Sequence, residues 1–343
     1  MNRWTARRAR AWDGRQPWRV GCNFIPRTAV NQLETWQADS FDPVTIEQEL
    51  AWAAELGMNL ARVYLHDLAW VDDASGFKSR LDRFLQLAAR QRIGTMPVIF
   101  DDCWNANPRA GQQPAPIPGV HNSGWLQSPG AAAVNDPGSW PRLERYVRDL
   151  LDSFGQDDRI FAWDLYNEPG NSQQAERSLP FLRAAFKWAR AAAPEQPLTS
   201  GLWSANVDVS AFQAGASDII SFHNYENDAH LGEQIAHLRG YNRPLLCTEW
   251  LRRGHSDVAA CLPIFQREGV HCCNWGLVAG KTQTIYPWGS VGGEPEPAVW
   301  FHDLLRPDGL PFDPEEIRLF RSLTRAGRRR GASGGVDRVP PRR

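Results

Sequence analysis

Two glutamates lie at the ends of apolar, strand-like segments and are candidates for acid–base or nucleophilic chemistry. Glu168 follows the run "AWDLYN" and precedes Pro-Gly, and Glu249 lies near the end of "PLLCTEW". A carboxylate at the mouth of an apolar strand is costly to desolvate unless it is paired or used in chemistry. Taken singly, either residue could be a solvated loop residue or an ion-pair partner. Two carboxylates facing one cavity can hydrolyse a glycosidic bond, because one protonates the leaving oxygen while the other attacks the anomeric carbon.

Apolar strands and amphipathic helices alternate along the chain with a period near thirty residues, which is typical of βα repetition. The predicted strands lie at 19–25, 59–66, 93–100, 160–167, 197–203, 218–225, 244–250 and 270–278. This pattern predicts an α/β protein with a single (β/α)8 TIM barrel at about residues 18–325. A doubly wound sheet uses similar repeats, but no GxGxxG follows any of the strands, which favours the barrel. Glu168 and Glu249 would then end strands four and seven and point into the same mouth.

Helix signals fit between the predicted strands. Asp42 and Pro43 form a cap and first turn, and Ile46 and later apolar residues follow at helical spacing. Two further helices are predicted at about 175–193 and near 207–214.

Two connections are too long for ordinary barrel loops, and both follow strands. The first, after strand three, runs from 101 to about 136 and contains Trp104 and Trp125. The second, after strand eight, is "AGKTQTIYPWGSVGGEPEP", which contains Trp288. Loops that follow barrel strands lie on the catalytic face, and long ordered loops commonly form binding sites. Surface insertions without function are the alternative.

Composition excludes several functional classes. The chain has 343 residues with 38 basic and 39 acidic side chains, so neither nucleic acid nor a membrane surface is an expected partner. No apolar run suits a signal peptide or a membrane span, so the sequence reads as cytoplasmic and favours short, imported glycosides as substrates.

Residues 1–17 are interpreted as an N-terminal extension and 326–343 as a disordered basic tail. Apolar surroundings indicate reduced, buried thiols rather than metal ligands at Cys22, Cys247, Cys272 and Cys273.

The segments around the two glutamates resemble clan A of the glycoside hydrolases, and within it the family 5 or cellulase-like enzymes. The resemblance extends over about 19–323 and rests on the Asn-Glu-Pro motif, on "CTEW" and on residues at other strand ends. It implies that Glu168 is the acid/base and Glu249 the nucleophile. It also implies that Asn167 binds the sugar 2-hydroxyl and that Arg62 hydrogen bonds the nucleophile. His223 and Tyr225 correspond to the family's residues on strand six, and Trp275 to the tryptophan beneath the sugar.

General arguments support parts of this assignment. An arginine near Glu249 would hold that carboxylate ionised, as a nucleophile requires, although Arg62 could be an ordinary ion-pair residue. His223 and Tyr225 alternate on a strand and face the same side, where a core role is the alternative. The flat faces of Trp275 and of the loop tryptophans are suited to packing on a sugar ring.

One departure from the family pattern occurs at the end of strand three. Many family 5 enzymes have a histidine there, whereas this chain has "FDDCWN", with Asp101 and Asp102. The two aspartates are therefore candidates for binding sugar hydroxyls in place of the imidazole. A structural pair that caps the loop is an equal alternative.

Together these features predict a retaining β-glycosidase that acts on β-linked oligo- or polysaccharides of glucan, xylan or mannan type and needs no metal or organic cofactor. In this mechanism the nearby negative charge keeps Glu168 protonated until it protonates the leaving oxygen. Two other classes are weighed against it. A barrel that binds carbohydrate without hydrolysing it would lack one carboxylate. A metal-dependent hydrolase would use Asp101, Asp102, His223 and His66, and would lose activity with a chelator. Sugar identity, endo or exo action and oligomeric state do not follow from the sequence.

Overall fold

The computed structural model describes residues 2–333, without the side chains of 326–333. Within this range eight parallel strands form one sheet, β1 Val20–Asn23, β2 Leu60–Tyr64, β3 Gly94–Val98, β4 Trp163–Asp164, β5 Leu198–Thr199, β6 Ile220–His223, β7 Leu245–Glu249 and β8 His271–Trp275. Each strand lies inside a segment that the sequence predicted as a strand.

The sheet closes into a barrel. Ladder pairing runs in the order β5-β4-β3-β2-β1-β8-β7-β6. Between β5 and β6 the gap is bridged by Leu202, which pairs in parallel with Phe222 and donates its N–H to the Ser221 carbonyl at 2.9 Å. The predicted (β/α)8 TIM barrel is therefore confirmed, and the carboxyl ends of all eight strands meet on one face.

Helices surround the barrel and bury apolar stripes against the strands. Within the described residues they are α1 Ala6–Asp13, α2 Gln32–Trp36, α3 Pro43–Glu55, α4 Asp67–Asp72, α5 Ala74–Arg90, α6 Ala131–Val134, α7 Trp140–Phe154, α8 Leu179–Ala192, α9 Val207–Ala216, α10 Asp228–Leu238, α11 Val258–Glu268 and α12 Pro314–Ser333. The predicted cap of α3 is present, because the Asp42 side chain accepts from the Thr45 N–H at 3.0 Å. No described helix is both long and apolar enough to cross a membrane.

The N-terminal segment, which the sequence placed outside the barrel, packs against the end of the barrel where the strands begin. Trp4 and Trp12 are buried there among residues at the amino ends of the strands, such as Leu60 and Phe161. The Trp4 N–H donates to Asp218 at 2.7 Å, and Asp13 pairs with His271 at 2.9 Å. The segment therefore closes the end of the barrel opposite the strands' carboxyl ends.

At the other terminus, α12 continues past residue 326, where the sequence placed the start of a disordered tail. The remainder of that predicted tail, 334–343, lies outside the described residues. All six cysteines are free and buried, as the sequence indicated for four of them.

Candidate active site

A cavity of about 590 Å³ opens at the carboxyl ends of the strands. Glu168, which follows β4, and Glu249, the last residue of β7, both line it. The long connections after β3 and β8 form part of its wall. The two candidate catalytic glutamates therefore share one cavity on the face where barrel enzymes carry their active sites.

Glu249 accepts hydrogen bonds at both carboxylate oxygens. Its Oε1 receives Arg62 Nη1 at 2.9 Å and the Tyr64 hydroxyl at 2.7 Å, and its Oε2 receives the Tyr225 hydroxyl at 2.8 Å. Glu249 is only 4% exposed, so these donors replace water. Three donors to one carboxylate orient it and favour its charged form.

Arg62 is the centre of a buried network that connects four strands. Its guanidinium donates to Asp164 Oδ2 at 2.8 Å, to Asn23 Oδ1 at 2.7 Å and to Asn167 Oδ1 at 2.6 Å, besides Glu249. Arg62 is fully buried and forms ion pairs with two carboxylates, those of Asp164 and Glu249. An uncompensated buried charge would be strongly destabilising, so the network fixes both the nucleophile candidate and Asn167.

Glu168 lies in a sharp turn whose backbone is strained. Its φ is +43°, a left-handed conformation that non-glycine residues adopt rarely, and Gly170 follows at +93°. Its Oε1 lies 2.7 Å from His223 Nδ1, and its Oε2 accepts from the Cys103 thiol at 3.2 Å and from Asn171. Such strain persists only where the surroundings fix the conformation, which is common at functional sites.

His223 stands between the two glutamates because of a bulge. The β6–β7 pairing shifts after Phe222, so that His223 pairs with Glu249 instead of Thr248. His223 Nδ1 lies 2.7 Å from Glu168 Oε1 and 3.5 Å from Glu249 Oε2. Since both neighbours are carboxylate oxygens, this nitrogen carries a proton.

The electrostatics of this trio differ from the sequence expectation, in which Glu168 itself holds the proton. Burial favours the neutral form of His223, but the charges of Glu249 and Glu168 outweigh it and raise the histidine pKa. Burial would raise the pKa of Glu168, but the hydrogen bond and charge of His223 lower it instead. One proton is therefore shared by the Glu168–His223 pair and titrates as a property of the pair.

Glu168, His223 and Glu249 each have one oxygen or nitrogen atom able to bind a metal, and these three atoms lie within 4.8 Å of one another. The set that the sequence offered for a metal hydrolase does not come together in this way. His66 Nδ1 accepts from the Leu68 N–H at 3.1 Å, and its Nε2 lies 3.1 Å from the Gln127 carbonyl. Both ring nitrogens of that candidate ligand are thus already engaged by the protein.

Asp101 is a support beneath the cavity and not part of its lining, which corrects the sugar-binding role considered from sequence. It is 1% exposed, and its oxygens accept from Asn167 Nδ2 at 3.0 Å, from Trp125 Nε1 at 2.7 Å and from Gln32 Nε2 at 3.2 Å. Burial raises its pKa to about 7 in spite of these donors. It holds Asn167 from the side opposite Arg62.

Asp102 has a corresponding role in the turn after β4. Its carboxylate accepts from the Tyr166 hydroxyl at 2.5 Å, from the Gly170 N–H at 2.8 Å and from the Ser178 hydroxyl. It is fully buried, and burial raises its pKa to about 6. The structural alternative, a pair that anchors the loops, therefore describes both aspartates, and Asp102 stabilises the strained turn that carries Glu168.

Aromatic rings line the cavity as the sequence suggested, with one exception. Trp275 lies on its floor at 7% exposure, while Trp104 and Trp288 are 43% and 41% exposed at its rim. Trp288 packs edge to face on Tyr225, with ring centroids 4.9 Å apart. Trp125 is buried at 1% exposure behind Tyr64 and Trp275, so its predicted sugar-stacking position is wrong.

The two loop tryptophans should therefore respond differently to truncation. Trp104→Ala should raise KM at least tenfold, equivalent to ~1.4 kcal/mol of binding, and leave Tm unchanged. Trp125→Ala removes a buried ring and should destabilise the fold by about 3–5 kcal/mol, which thermal unfolding would detect. An unchanged KM for Trp104→Ala on the best substrate would remove this ring from the sugar path.

Sequence reasoning missed five residues that touch the two candidate glutamates or Arg62, namely Asn23, Tyr64, Cys103, Asp164 and Asn171. Tyr64 is two residues after Arg62 on β2 and therefore faces the same side, a signal that was readable. Asp164 interrupts an otherwise apolar strand, which is a second readable signal. Cys103 gave no signal, because its approach to Glu168 depends on the path of the β3 loop.

Comparisons with known proteins agree with this architecture. No protein-family model matches the sequence, and no curated protein matches it in sequence. Among solved structures, a GH5_18 protein from Streptomyces cattleya in complex with Manβ1-4GlcNAc matches with a TM-score of 0.60 at 13% identity, over 95% of this chain and 83% of that one. An exo-β-1,4-mannosidase from Opitutaceae bacterium strain TAV5 matches with a TM-score of 0.61 at 19% identity, over 92% and 60%.

An endo-1,4-β-mannanase from Rhizomucor miehei is similar to the same degree, with a TM-score of 0.60 at 12% identity over 92% of this chain and 96% of that one. At these identities the likeness concerns the fold. The chain shares the (β/α)8 barrel fold of these glycoside hydrolase structures, which is the fold that the sequence resemblance implied.

Proposed function

We propose that this chain is a retaining β-glycosidase that hydrolyses O-glycosidic bonds by double displacement. The observation that carries the proposal is the pair of glutamates in one cavity, where one carboxylate oxygen of Glu168 lies within 4.8 Å of one carboxylate oxygen of Glu249. Retaining glycosidases hold their carboxyl groups ~5–5.5 Å apart, whereas inverting enzymes need ~6.5–9.5 Å to admit a water between them. The short separation supports direct attack by one carboxylate.

Glu249 is the nucleophile in this scheme. Arg62, Tyr64 and Tyr225 orient its oxygens and leave one edge facing the cavity. Attack at the anomeric carbon forms a bond from a carboxylate oxygen to that carbon as the bond to the leaving oxygen breaks. Asn167, held between Arg62 and Asp101, is placed to meet a sugar hydroxyl beside the reacting carbon.

Glu168 is the acid/base, and His223 is its proton partner. The shared proton lies across a 2.7 Å contact, so it can pass to Glu168 as the leaving oxygen gains charge. In the second step Glu168 takes a proton from water, and that water cleaves the glycosyl ester on Glu249. The cycle therefore returns both carboxylates to their starting states.

The sugar class is proposed from the neighbours. An exo-β-1,4-mannosidase and an endo-1,4-β-mannanase share this fold over most of the chain, which makes β-mannosides the first substrates to test, before glucosides and xylosides. A carbohydrate-binding barrel without activity is less favoured, because both carboxylates and their donors are present.

Proton NMR of the first product tests the mechanism. A retaining enzyme acting on a nitrophenyl β-glycoside should release the β-anomer first, and the α-anomer should appear only later by mutarotation. Early spectra at several enzyme concentrations separate the enzymatic product from mutarotation. The α-anomer as first product would overturn the role given to Glu249.

A further inference from the structure

The long loops after β3 and β8 are bonded directly to each other. The Gln283 side chain sits at the junction, where its Oε1 accepts from the Gly119 N–H at 3.0 Å and its Nε2 donates to the Ile117 carbonyl at 2.7 Å. Beside it, the Asn122 N–H donates to the Thr282 carbonyl at 2.9 Å. We name this junction, residues 117–122 with 280–294, the loop wall.

A second row of contacts makes the loop wall tight. His121 donates its backbone N–H to the Ser290 hydroxyl at 2.9 Å and its Nδ1–H to the Tyr286 carbonyl at 2.8 Å. Burial lowers the His121 pKa to about 4, so the ring is neutral and keeps this donor arrangement. A Cβ at Gly119 would lie 2.8 Å from the backbone of Glu294, so the two segments are in direct backbone contact.

The position of the loop wall follows from the barrel order. β1 and β2 lie between β8 and β3, so a junction of the β8 and β3 loops must pass over their carboxyl ends. Contacts to the β1 loop agree: the Lys281 N–H donates to the Arg27 carbonyl at 3.0 Å, and Asn31 Nδ2 donates to the Gly124 carbonyl at 2.9 Å. The mouth is covered from β8 round to β3. On the side of β4 to β6 the corresponding contact joins two neighbouring loops, where Trp203 Nε1 donates to the Pro169 carbonyl at 3.2 Å and does not span the mouth.

The proposed chemistry assigns directions within this mouth. The glycosidic oxygen must lie at Glu168, so the leaving group extends past β4 towards Trp203 and Gln234, which line the uncovered side. The sugar under attack lies over Trp275 beside Glu249. Its non-reducing end then faces the loop wall, where Asn122 and Trp288 line the cavity.

Two side chains at this end of the cavity carry buried acceptors without a partner among the described residues, Asn122 Oδ1 and His302 Nε2. His302 contacts the Leu251 carbonyl through Nδ1, which places its proton there and leaves Nε2 as an acceptor. Buried acceptors of this kind are satisfied by hydroxyl donors, which an uncharged sugar supplies. A sugar carboxylate would meet only lone pairs from these two atoms.

We infer that the loop wall closes the non-reducing end of the site, so that the enzyme removes one β-glycosyl unit at a time from that end of its substrate. This inference rests on the proposed function and extends it from bond type to exo action. An internal cut would require the chain to continue through the loop wall.

Two labelled oligosaccharides test this inference. Both are tetrasaccharides of the sugar whose nitrophenyl β-glycoside the enzyme cleaves fastest, with a fluorescent label at the reducing end. One has a free non-reducing end, and the other has its terminal 4-hydroxyl blocked by a bulky benzyl ether. The free chain should first give the labelled trisaccharide, then the disaccharide. The blocked chain should react at least 100-fold more slowly.

Each outcome has a distinct meaning. Cleavage of the blocked chain within tenfold of the free chain, or an internal cut as the first event, would overturn exo action and leave the glycosidase function standing. Failure to cleave any aryl β-glycoside or oligosaccharide would overturn the proposed function itself.

A variant connects the result to the loop wall. Gln283→Ala removes three hydrogen bonds of the junction and should raise the rate on the blocked chain at least tenfold over wild type. Gln86→Ala, which removes an exposed glutamine contact on α5, is the matched control and should change neither rate. An unchanged rate for Gln283→Ala on the blocked chain would show that the loop wall is not the barrier.

Discussion

Glu249→Ala should lose about 10⁴-fold or more in kcat, because it removes the carboxylate that is proposed to attack the anomeric carbon. Azide should restore turnover of a nitrophenyl β-glycoside by entering the vacated space. Attack from that side gives a glycosyl azide of inverted, α configuration. Steady-state kinetics with and without azide, followed by NMR of the product, measure both effects.

Glu226→Ala is the matched control for this variant. Glu226 lines the same cavity, but its side chain is 56% exposed and pairs with Arg252 only at 3.6 Å. Its removal should change kcat less than threefold, and azide should have no effect. Azide rescue of a β-configured product from Glu249→Ala would contradict the nucleophile assignment, since that product requires attack from the opposite face.

Glu168→Ala should reduce kcat/KM to an extent that depends on the leaving group of the substrate. Alkyl glycosides need protonation of the leaving oxygen, so their kcat/KM should fall about 10³-fold, within the ~10²–10⁴ range of general acid catalysis. Dinitrophenyl glycosides need no such proton in the first step and should lose far less in kcat/KM. Azide should now give the β-azide, because it enters on the leaving-group side. A series of aryl glycosides with graded leaving-group pKa measures the contrast.

The same variant should change the pH profile. In the wild type the acid proton belongs to the Glu168–His223 pair, and the pKa of His223 is raised above its ordinary value of about 6.5. Activity should therefore persist through neutral pH and decline as the pH rises through that raised pKa. For dinitrophenyl substrates of Glu168→Ala this alkaline decline in kcat/KM should disappear. Equal losses on all leaving groups, or an unchanged decline, would contradict the acid assignment.

The sequence predicted correctly which residues lie at the carboxyl ends of the strands, but it did not predict how deeply their side chains are buried. Glu168 and Glu249 were found because parallel strands bring their carboxyl ends to one face, whatever the details of the loops. Asp101 and Trp125 were assigned to sugar binding on the same grounds, yet both lie beneath the cavity wall and bond to each other. Residue type and spacing indicate which face of the barrel a loop occupies, but not how far below the surface its side chains end.

The protonation of the site was also beyond the sequence. A carboxylate neighbour was expected to keep Glu168 protonated, which is correct for two acids alone. The bulge between β6 and β7 moves His223 into the space between Glu168 and Glu249. A one-residue shift of strand pairing cannot be predicted from the periodicity of the sequence. The exo inference likewise depends on hydrogen bonds between two loops that are far apart in the chain.

The N-terminal segment that seals the lower end of the barrel has a consequence for the order of events during biosynthesis. Asp13 pairs with His271, and Trp4 bonds to Asp218, so these contacts cannot form until residues 218 and 271 have left the ribosome. At ~5–20 residues per second, the first tryptophans remain without their partners for roughly ten to fifty seconds. During that time two large apolar rings are available to chaperones or to neighbouring nascent chains.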